Sequence, residues 1–463
     1  MHPVTQEMFD GVVKENMDEF GMDVDEAIED TVKQFQAQGA DLSKVIIDLM
    51  ASSVDSQTVT DALKRLSKLV KENQPPQEYV EELKIIKTQC DIGLQYKVIA
   101  GREGAYNIIM DILSKDLGDV EVLTECFITL TSLMTKQPDL LNAAGIQLII
   151  TTLDQQTDEN VIKHLLKWTR ECCILHENNR QNIMDAGILD HLKPLMQVAS
   201  ASLLCDCLGV LRSLVLDDDI RVEFGRAHDH ARIIASDTLC FITALLEKFK
   251  SDETLMNDVI LTISSLLVRT EYCKKVDDAG GLPIILSTLS QFSNSDKLSK
   301  QCLKVLKALA GNDELKSKII KSGAAPLIIN ALNKHKVNQQ TAILGLGCIS
   351  ALTLRCPENS EALFKCGAPN TIVSIMELHP DNEQVQKNAS WAIRNMVSRS
   401  RHQNKQFIEL GVEQLLHKAL KKCKKSEYDI KAALRDLECS VELKEEWTGK
   451  GGMLHTDEKL KKK

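Results

Sequence analysis

Residues 385–411, VQKNASWAIRNMVSRSRHQNKQFIELG, decide the fold of this chain. From Val385 to Val397, apolar residues recur three and four positions apart, which is the spacing of a helix with one buried face. A short apolar segment around Phe407 follows and ends at Gly411. Glycine lets the backbone turn sharply between two helices, where a Cβ atom would clash. The stretch therefore predicts a long helix, a short helix and a glycine break.

This arrangement repeats along the chain. A short apolar helix, a small-residue break and a second apolar helix recur every 41 to 50 residues. The breaks fall at Gly104, Gly145, Gly187, Gly280, Gly323, Gly367 and Gly411, with Asp237 in the place of a glycine in the longest gap. A longer third helix follows each second helix, as in EVLTECFITLTSLM, residues 121–134. Three helices in about 42 residues is the period of armadillo repeats.

The chain accordingly resembles the armadillo family, and residues 385–411 resemble that family's third helix leading into the next first helix. The resemblance implies an all-α, right-handed armadillo (ARM) superhelical solenoid of about eight three-helix repeats with a helical N-terminal extension. Such repeats bury their faces only against neighbours, so capping helices are needed at the ends. Three further segments, 7–35, 216–234 and 431–449, resemble one particular member of the family. We expect an acidic N-terminal extension at 1–57, N-terminal capping helices at 58–93, the solenoid at 94–447 with an insertion near 217–232, and a disordered basic tail at 448–463.

Composition narrows the class of protein. The chain has 463 residues, 43% hydrophobic and 4% aromatic, and its 14 cysteines show no regular spacing. We expect these cysteines to be small buried residues in a reducing compartment, and we place the protein in the cytoplasm, with nuclear entry left open. No apolar run is long enough to span a membrane, and the first ten residues lack the features of a signal peptide.

Negative charge is concentrated at the N-terminus. Residues 1–60 carry 13 acidic residues and 3 lysines, a net charge of −10 that equals the formal charge of the whole chain. The remainder is therefore neutral, which does not favour nucleic-acid binding, because that function needs a clustered basic surface. The basic stretches 417–425 and 459–463 are interpreted as a solvated helix face and a frayed tail.

The resemblance also implies where a partner would bind. Third helices of armadillo solenoids line a concave groove, and in peptide-binding members each offers an asparagine and, one turn earlier, a tryptophan. Trp391 and Asn395 match that pair. The corresponding positions of the other repeats lack the full pair, so we expect a short peptide or a folded partner rather than a long extended chain. The groove residues we predict are Asn388, Trp391, Arg394, Asn395 and Asp436.

The tryptophans need not share one role. Packing between repeats is the alternative for Trp391, while Trp168, with no polar residue one turn further on, is predicted to lie in the core. Trp447 is predicted to close the C-terminal end of the solenoid.

The acidic leader is predicted to contain two amphipathic helices, near 5–20 and 25–38, followed by a linker at 39–57. We hypothesise that it folds back on the basic residues of the seventh repeat and beyond, which are Arg394, Arg399, Arg401 and Lys405. A solubilising tail is the alternative.

The stretch DDDIRVEFGRAHDHARII, residues 217–234, makes one repeat about eight residues too long. We expect its aspartates to cap the next helix, because carboxylates are favourable beside free N–H groups at a helix start. His228 and His230 are two positions apart and would point to opposite sides of a helix, so no metal site is predicted. The residues of the insertion that could contact a partner are Asp217, Asp218, Asp219, Arg226, His228 and His230.

Sequence motifs of common enzymes, such as a P-loop or a nucleophile elbow, are missing from the sequence. We therefore predict a monomeric, non-enzymatic scaffold that needs no cofactor and binds protein or peptide partners, without nucleic-acid or membrane binding. A peptide-cargo or chaperone adaptor is the alternative, and a metal-dependent hydrolase centred on residues 217–230 is a remote one.

Overall fold

Nearly all regular structure in this chain is helical. The computed structural model describes residues 6–37, 57–115, 118–444 and 453–455. The chain divides into two units, Met1–His230 and Ala231–Lys463. None of the described helices has both the length and the apolar character needed to cross a membrane.

The N-terminal unit begins with two helical pairs and continues with three repeats. The pairs are α1 (Gln6–Phe20) with α2 (Val24–Ala37), and α3 (Gln57–Lys71) with α4 (Gln77–Ile92). The first repeat contains α5 (Leu94–Arg102), α6 (Ala105–Lys115) and α7 (Val120–Met134); the second contains a 3-10 turn (Pro138–Leu140), α8 (Ala143–Gln155) and α9 (Glu159–Cys173); the third contains α10 (Glu177–Asp185), α11 (Ile188–Val198) and α12 (Ala201–Ser213). The third helices pack in series, α4 on α7, α7 on α9 and α9 on α12.

A fourth repeat contains the long α13 (Ala227–Lys248) and α14 (Glu253–Leu266), and four more repeats follow in the C-terminal unit. Their helices are α15 (Thr270–Asp278), α16 (Gly281–Gln291) and α17 (Asp296–Leu309); α18 (Asp313–Lys321), α19 (Ala324–His335) and α20 (Gln339–Thr353); α21 (Pro357–Lys365), α22 (Ala368–Leu378) and α23 (Glu383–Val397); and α24 (Asn404–Glu409), α25 (Val412–Lys422) and α26 (Glu427–Asp436). Two 3-10 turns, Arg401–Gln403 and Lys424–Ser426, precede α24 and α26. Six of the eight repeats contain three α-helices, the second has a 3-10 turn in place of its first helix and the fourth has two helices, so the predicted three-helix organisation holds for most repeats.

Short polar side chains start most of the third helices. Asp158 precedes α9, Asn338 precedes α20 and Asn382 precedes α23, and each accepts a hydrogen bond from a backbone N–H of the first turn. This contact satisfies N–H groups that have no partner within the helix. The caps explain why most of the third helices begin at the same point of their repeat.

The glycine breaks serve two different purposes. Gly104, Gly187, Gly280, Gly323, Gly367 and Gly411 have φ between +78° and +89°, a left-handed conformation that glycine adopts without a steric penalty. Gly145 was predicted as a break, but it lies inside the first turn of α8. A Cβ atom there would stand 2.3 Å from Tyr106 Oη, so packing requires glycine at this position.

Replacing Gly367 with alanine should lower the free energy of unfolding by about 1–2 kcal/mol, because the residue has φ +89°. A Cβ atom at this position meets no heavy atom within 4 Å, so the cost arises in the backbone alone. Urea unfolding of the variant would measure it. Gly367→Asn is the matched control, since asparagine tolerates this conformation and should cost less; equal losses for the two variants would contradict the explanation.

Two sequence predictions were wrong at element boundaries. The break expected at Asp237 is absent, because α13 runs unbroken from Ala227 to Lys248 and no glycine is present to leave the helical conformation. Most of the tail expected to be disordered lies outside the described residues; within it, Met453–His455 form a strand, β2, which pairs antiparallel with β1 (Glu442–Lys444). The aspartates of the insertion cap a different helix from the expected one, as described below.

The core is mainly aliphatic and includes two stacked pairs of buried aromatic rings, Phe9 with Phe35 and Phe127 with Trp168. Trp168 is fully buried, as predicted, and stacks on Phe127 with ring centroids 5.8 Å apart. Trp447 lies outside the described residues. All 14 cysteines are free thiols and most are buried; burial raises the pKa of the Cys302 thiol to about 12. They therefore pack as small apolar residues.

Candidate functional site

The five third helices of the C-terminal unit, α14, α17, α20, α23 and α26, pack side by side in that order. They bring together the residues predicted for partner binding, four of which lie on α23 and one on α26. We call the outer side chains of this row the third-helix face, defined by Lys297, Lys300, Lys304 and Lys307 of α17, Gly347 of α20, and Lys387, Trp391 and Arg394 of α23.

Trp391 is half-buried, and its neighbours hold it on this face. Its Nε1–H donates a hydrogen bond of 2.7 Å to Asp429 Oδ1 on α26. The ammonium group of Lys387, one turn earlier, lies 4.9 Å from the ring centroid of Trp391 and 3.9 Å from Asp429 Oδ2. Trp391 thus packs between repeats while part of its ring remains accessible.

The asparagine amides face the preceding third helix. Asn395 Nδ2 donates to the Ser350 carbonyl at 2.9 Å and to its hydroxyl at 3.0 Å. Asn388 is 3% exposed; its Nδ2 donates to the Ile343 carbonyl, and its Oδ1 accepts from Gln384 Nε2, both at 2.9 Å. The prediction that Asn388 extends a peptide-binding row is therefore wrong, because its amide joins α23 to α20.

Arg394 and Asp436 form an ion pair between α23 and α26, with Arg394 Nε 3.4 Å from Asp436 Oδ2. The Asp436 carboxylate is buried and also accepts a 2.9 Å hydrogen bond from Arg435 Nε. Arg401 donates to the Asp436 carbonyl oxygen. Asp436 therefore closes the end of the repeat stack instead of offering an acceptor to a partner, which corrects its assignment to the groove.

The sequence interpretation missed the lysines of α17. Lys297, Lys304 and Lys307 are exposed, and Lys300 lies 3.0 Å from Asp296 Oδ2. The four lysines are three or four positions apart, so they share one side of the helix. This spacing is visible in the sequence itself.

The insertion is held against the preceding repeat by two aspartates. Asp218 Oδ1 accepts hydrogen bonds from the Leu175 N–H at 3.1 Å and from Arg180 Nη1 at 2.6 Å. Asp219 Oδ2 accepts from the Glu177 N–H at 2.9 Å. These N–H groups lie at the start of α10, so the aspartates cap a helix about 42 residues before them rather than α13. Asp217 is exposed.

A buried ion pair lies beneath the insertion. Glu177 and Arg180 are each 1% exposed, and Arg180 Nε donates to Glu177 Oε2 at 3.0 Å. Glu177 Oε1 also accepts from the Arg226 N–H at 2.6 Å. Burial alone would raise the pKa of Glu177, but the hydrogen bonds from Arg226, Gln181 and Arg180 hold it below its usual value. The insertion therefore completes a charged cluster, and Arg226 contributes its backbone to it.

Arg221 anchors the outer part of the same cluster. Its Nε donates to Asp219 Oδ1 at 2.8 Å, and its Nη1 donates to Asp139 Oδ1 at 2.6 Å. Burial alone would raise the pKa of Asp219, but hydrogen bonds from Arg221 and from the Glu177 N–H lower it to about 2.

The two histidines of the insertion do not meet. His228 is exposed, while His230 is 1% exposed and its Nδ1 lies 3.0 Å from the Leu214 carbonyl oxygen. In the described part of the chain, no three His, Cys, Asp or Glu side chains converge as metal ligands would. His230 therefore packs in the core and is not a contact residue, which corrects its place in the predicted set.

The acidic leader forms a helical hairpin with its own small core. Phe9, Val13, Ala27, Ile28 and Phe35 are buried between α1 and α2. Asp10 of α1 forms an ion pair with Arg102 of α5, in the first repeat. Three of the basic residues proposed as its target have carboxylates nearby in their own or the next repeat: Arg394 pairs with Asp436, Arg401 with Glu438 and Lys405 with Glu409. These contacts do not favour the fold-back hypothesis.

Comparison with known proteins agrees with this architecture. The sequence model of the ARMC6 family matches residues 56–456, and that of the armadillo repeat-containing protein 6 N-terminal domain matches residues 1–62. The armadillo repeat-containing protein 6 homolog of Drosophila melanogaster is 41% identical over 456 residues, which are 96% of this chain and 97% of that protein. Armadillo repeat-containing protein 6 of Homo sapiens is 35% identical over 298 residues, 61% of this chain and 59% of that protein. These matches confirm the resemblance carried by segments 7–35, 216–234 and 431–449.

Solved structures share the fold. The crystal structure of an engineered protein gives a TM-score of 0.67 at 17% identity, over 81% of this chain and 88% of that one. A chain from a study of a phosphorylation switch that controls the interaction between cadherin and β-catenin gives a TM-score of 0.55 at 18% identity, over 85% of this chain and 68% of that one. Both confirm the all-α armadillo fold.

Proposed function

The chain belongs to the armadillo repeat-containing protein 6 family, and we propose that it is a non-enzymatic scaffold that binds partner polypeptides on the third-helix face of its C-terminal unit. The observation that carries the proposal is the accessible part of the Trp391 ring, which lies beside Lys387 on α23. Tryptophan and arginine dominate the binding energy of protein interfaces.

The internal contacts of this face favour a preformed binding surface. Asp429 fixes Trp391, and Ser350 fixes Asn395, so these side chains lose little conformational freedom when a partner binds. The same contacts do not favour a peptide-cargo adaptor, because the amides of Asn388 and Asn395 already donate to α20. The related fold of a chain studied for the cadherin–β-catenin interaction supports polypeptide partners.

The insertion supports a structural role rather than hydrolysis. Asp218, Asp219 and Glu177 are engaged with arginines and backbone N–H groups, and His230 is turned into the core. The free thiols fit a reducing compartment, so we propose that the scaffold acts in the cytoplasm, as a monomer that needs no cofactor.

Partner capture from cells tests the proposal. Full-length protein carrying Lys387→Ala and Trp391→Ala should lose a specific set of captured proteins by at least about tenfold, because it removes a central aromatic anchor. The matched control carries Lys418→Ala and Lys421→Ala on the exposed surface of α25 and should keep that set. Identical sets for both variants, with unchanged helical circular dichroism, would rule out this face as the binding surface.

A further inference from the structure

The lysine row of α17 is electrostatically unfavourable without a partner. Lys297, Lys304 and Lys307 are exposed on one side of the helix, and no carboxylate within the described ranges lies within 4.0 Å of their ammonium groups. Like charges three and four positions apart repel each other on a helix. Lys300 alone is neutralised, by Asp296. An anionic ligand would remove this repulsion, so the row is a surface that favours negatively charged ligands.

Gly347 places one lysine of this row across the neighbouring helix. A Cβ atom at Gly347 on α20 would stand 3.4 Å from both Cδ and Nζ of Lys307, and 3.5 Å from Asn388 Nδ2. The lysine side chain therefore lies over the glycine, while the residue remains exposed. Glycine is less favourable than alanine within a helix, and this contact gives the glycine a structural reason.

The N-terminal unit contains a similar arrangement with a different outcome. A Cβ atom at Gly209 on α12 would stand 3.6 Å from Arg170 Cδ. Arg170 is paired with Glu171, its Nη2 lying 3.2 Å from the carboxylate. A cation beside a glycine of the next third helix thus occurs in both units, but Lys307 in the C-terminal unit has no carboxylate within 4.0 Å among the residues that the structure describes.

We propose that Lys297, Lys304 and Lys307 bind a short carboxylate-rich segment of a partner polypeptide, and that Gly347 positions Lys307 for this contact. This inference rests on the proposed function and adds the chemical class of the partner. From Lys297 to Lys307 the helix rises about 15 Å, which an extended chain of about five residues spans. The ligand is therefore a segment with two or three acidic side chains in about five residues.

Carboxylates fit this row better than a nucleic acid does. Nucleic-acid affinity depends on many phosphate contacts along a broad basic surface, and this chain has a formal net charge of −10. Asp296 pairs with Lys300 and Asp313 pairs with Lys316, so the unpaired charge of the row is that of Lys297, Lys304 and Lys307. A segment of about five residues matches these three cations, whereas a long polyanion would extend past them.

Fluorescence anisotropy with the full-length protein tests the charge preference. The probes are a labelled twelve-residue peptide of alternating glutamate and serine, a peptide with glutamine in place of glutamate, and a twelve-nucleotide single-stranded DNA. The acidic peptide should bind, with an affinity that falls as salt increases, and the neutral peptide should not. Equal binding of both peptides, or tighter binding of the DNA, would overturn the proposed partner class.

Two sets of variants locate the site. The double variant Lys304→Ala with Lys307→Ala should weaken binding of the acidic peptide about tenfold, as expected for losing two charge contacts. The control, Lys418→Ala with Lys421→Ala, removes the same charge from α25 and should change the affinity for the peptide less than about twofold. Equal losses would show nonspecific attraction and overturn the inference.

Gly347→Leu keeps every charge, and the leucine side chain should displace Lys307. Binding of the acidic peptide should then weaken about threefold, because part of one lysine–carboxylate contact is lost. Unchanged affinity would overturn the positioning role of Gly347. If the acidic peptide fails to bind while partner capture still depends on Trp391, the inference fails and the proposed function stands. If partner capture is insensitive to Trp391 but the peptide binds through Lys304 and Lys307, the proposed function fails and the inference about the lysines stands.

Discussion

Replacing Arg180 with methionine is expected to lower the free energy of unfolding of the N-terminal unit by about 3–5 kcal/mol. Arg180 is 1% exposed and donates to Glu177, to the Cys173 carbonyl oxygen and to Asp218. Methionine has a similar length but no charge, so the variant leaves the Glu177 carboxylate buried without its cation. Urea unfolding, combined with hydrogen exchange of residues 159–213, would measure the loss in the repeats concerned.

The control is the double variant Glu177→Gln with Arg180→Met. Glutamine keeps an oxygen that can accept from the Arg226 N–H, and it removes the unpaired charge. Replacing both members of a buried pair costs less than removing one of them. The double variant should therefore be more stable than Arg180→Met alone; a less stable double variant would mean that the pair does not act as a unit.

The fold was predictable because its signals are local and repeated. A left-handed glycine and the apolar spacing before it recur in most repeats, so each copy supports the others. The fourth repeat departs from this pattern, since Asp237 can remain in a helix and α13 runs through it. Gly145 departs from the pattern in another way. Glycine is needed there because the Tyr106 hydroxyl of another helix lies close to it, and not because the backbone turns.

The candidate site was only partly predictable, because its hydrogen-bond partners lie about one repeat away. The sequence places Trp391 and Asn395 on one helix face, but Asp429 and Ser350, which engage them, are 38 and 45 positions distant. A residue pattern on one helix indicates which groups can donate, and not which acceptor the next repeat supplies. The insertion shows the same limit, since Asp218 and Asp219 were expected to cap the helix that follows them.

Trp168 and Trp391 are expected to differ in role, the first in packing and the second in binding. Trp168→Ala should lower the free energy of unfolding of the N-terminal unit by about 3–5 kcal/mol, because the side chain is fully buried. The variant also loses the stacking on Phe127 and the hydrogen bond from Trp168 Nε1 to Met134 Sδ at 3.0 Å. Thermal unfolding and hydrogen exchange of residues 120–173 would measure the loss.

Trp391→Ala is the matched control for this prediction, since it makes the same substitution on a third helix whose tryptophan is half-buried. It should cost only about 1–2 kcal/mol, for the hydrogen bond to Asp429 and the contact with Lys387. Partner capture should follow the opposite order, being lost with Trp391 and retained by Trp168→Ala below its unfolding temperature. Equal destabilisation by the two variants would mean that Trp391 is a core residue, and the binding surface would then have to rest on the lysines of α17 alone.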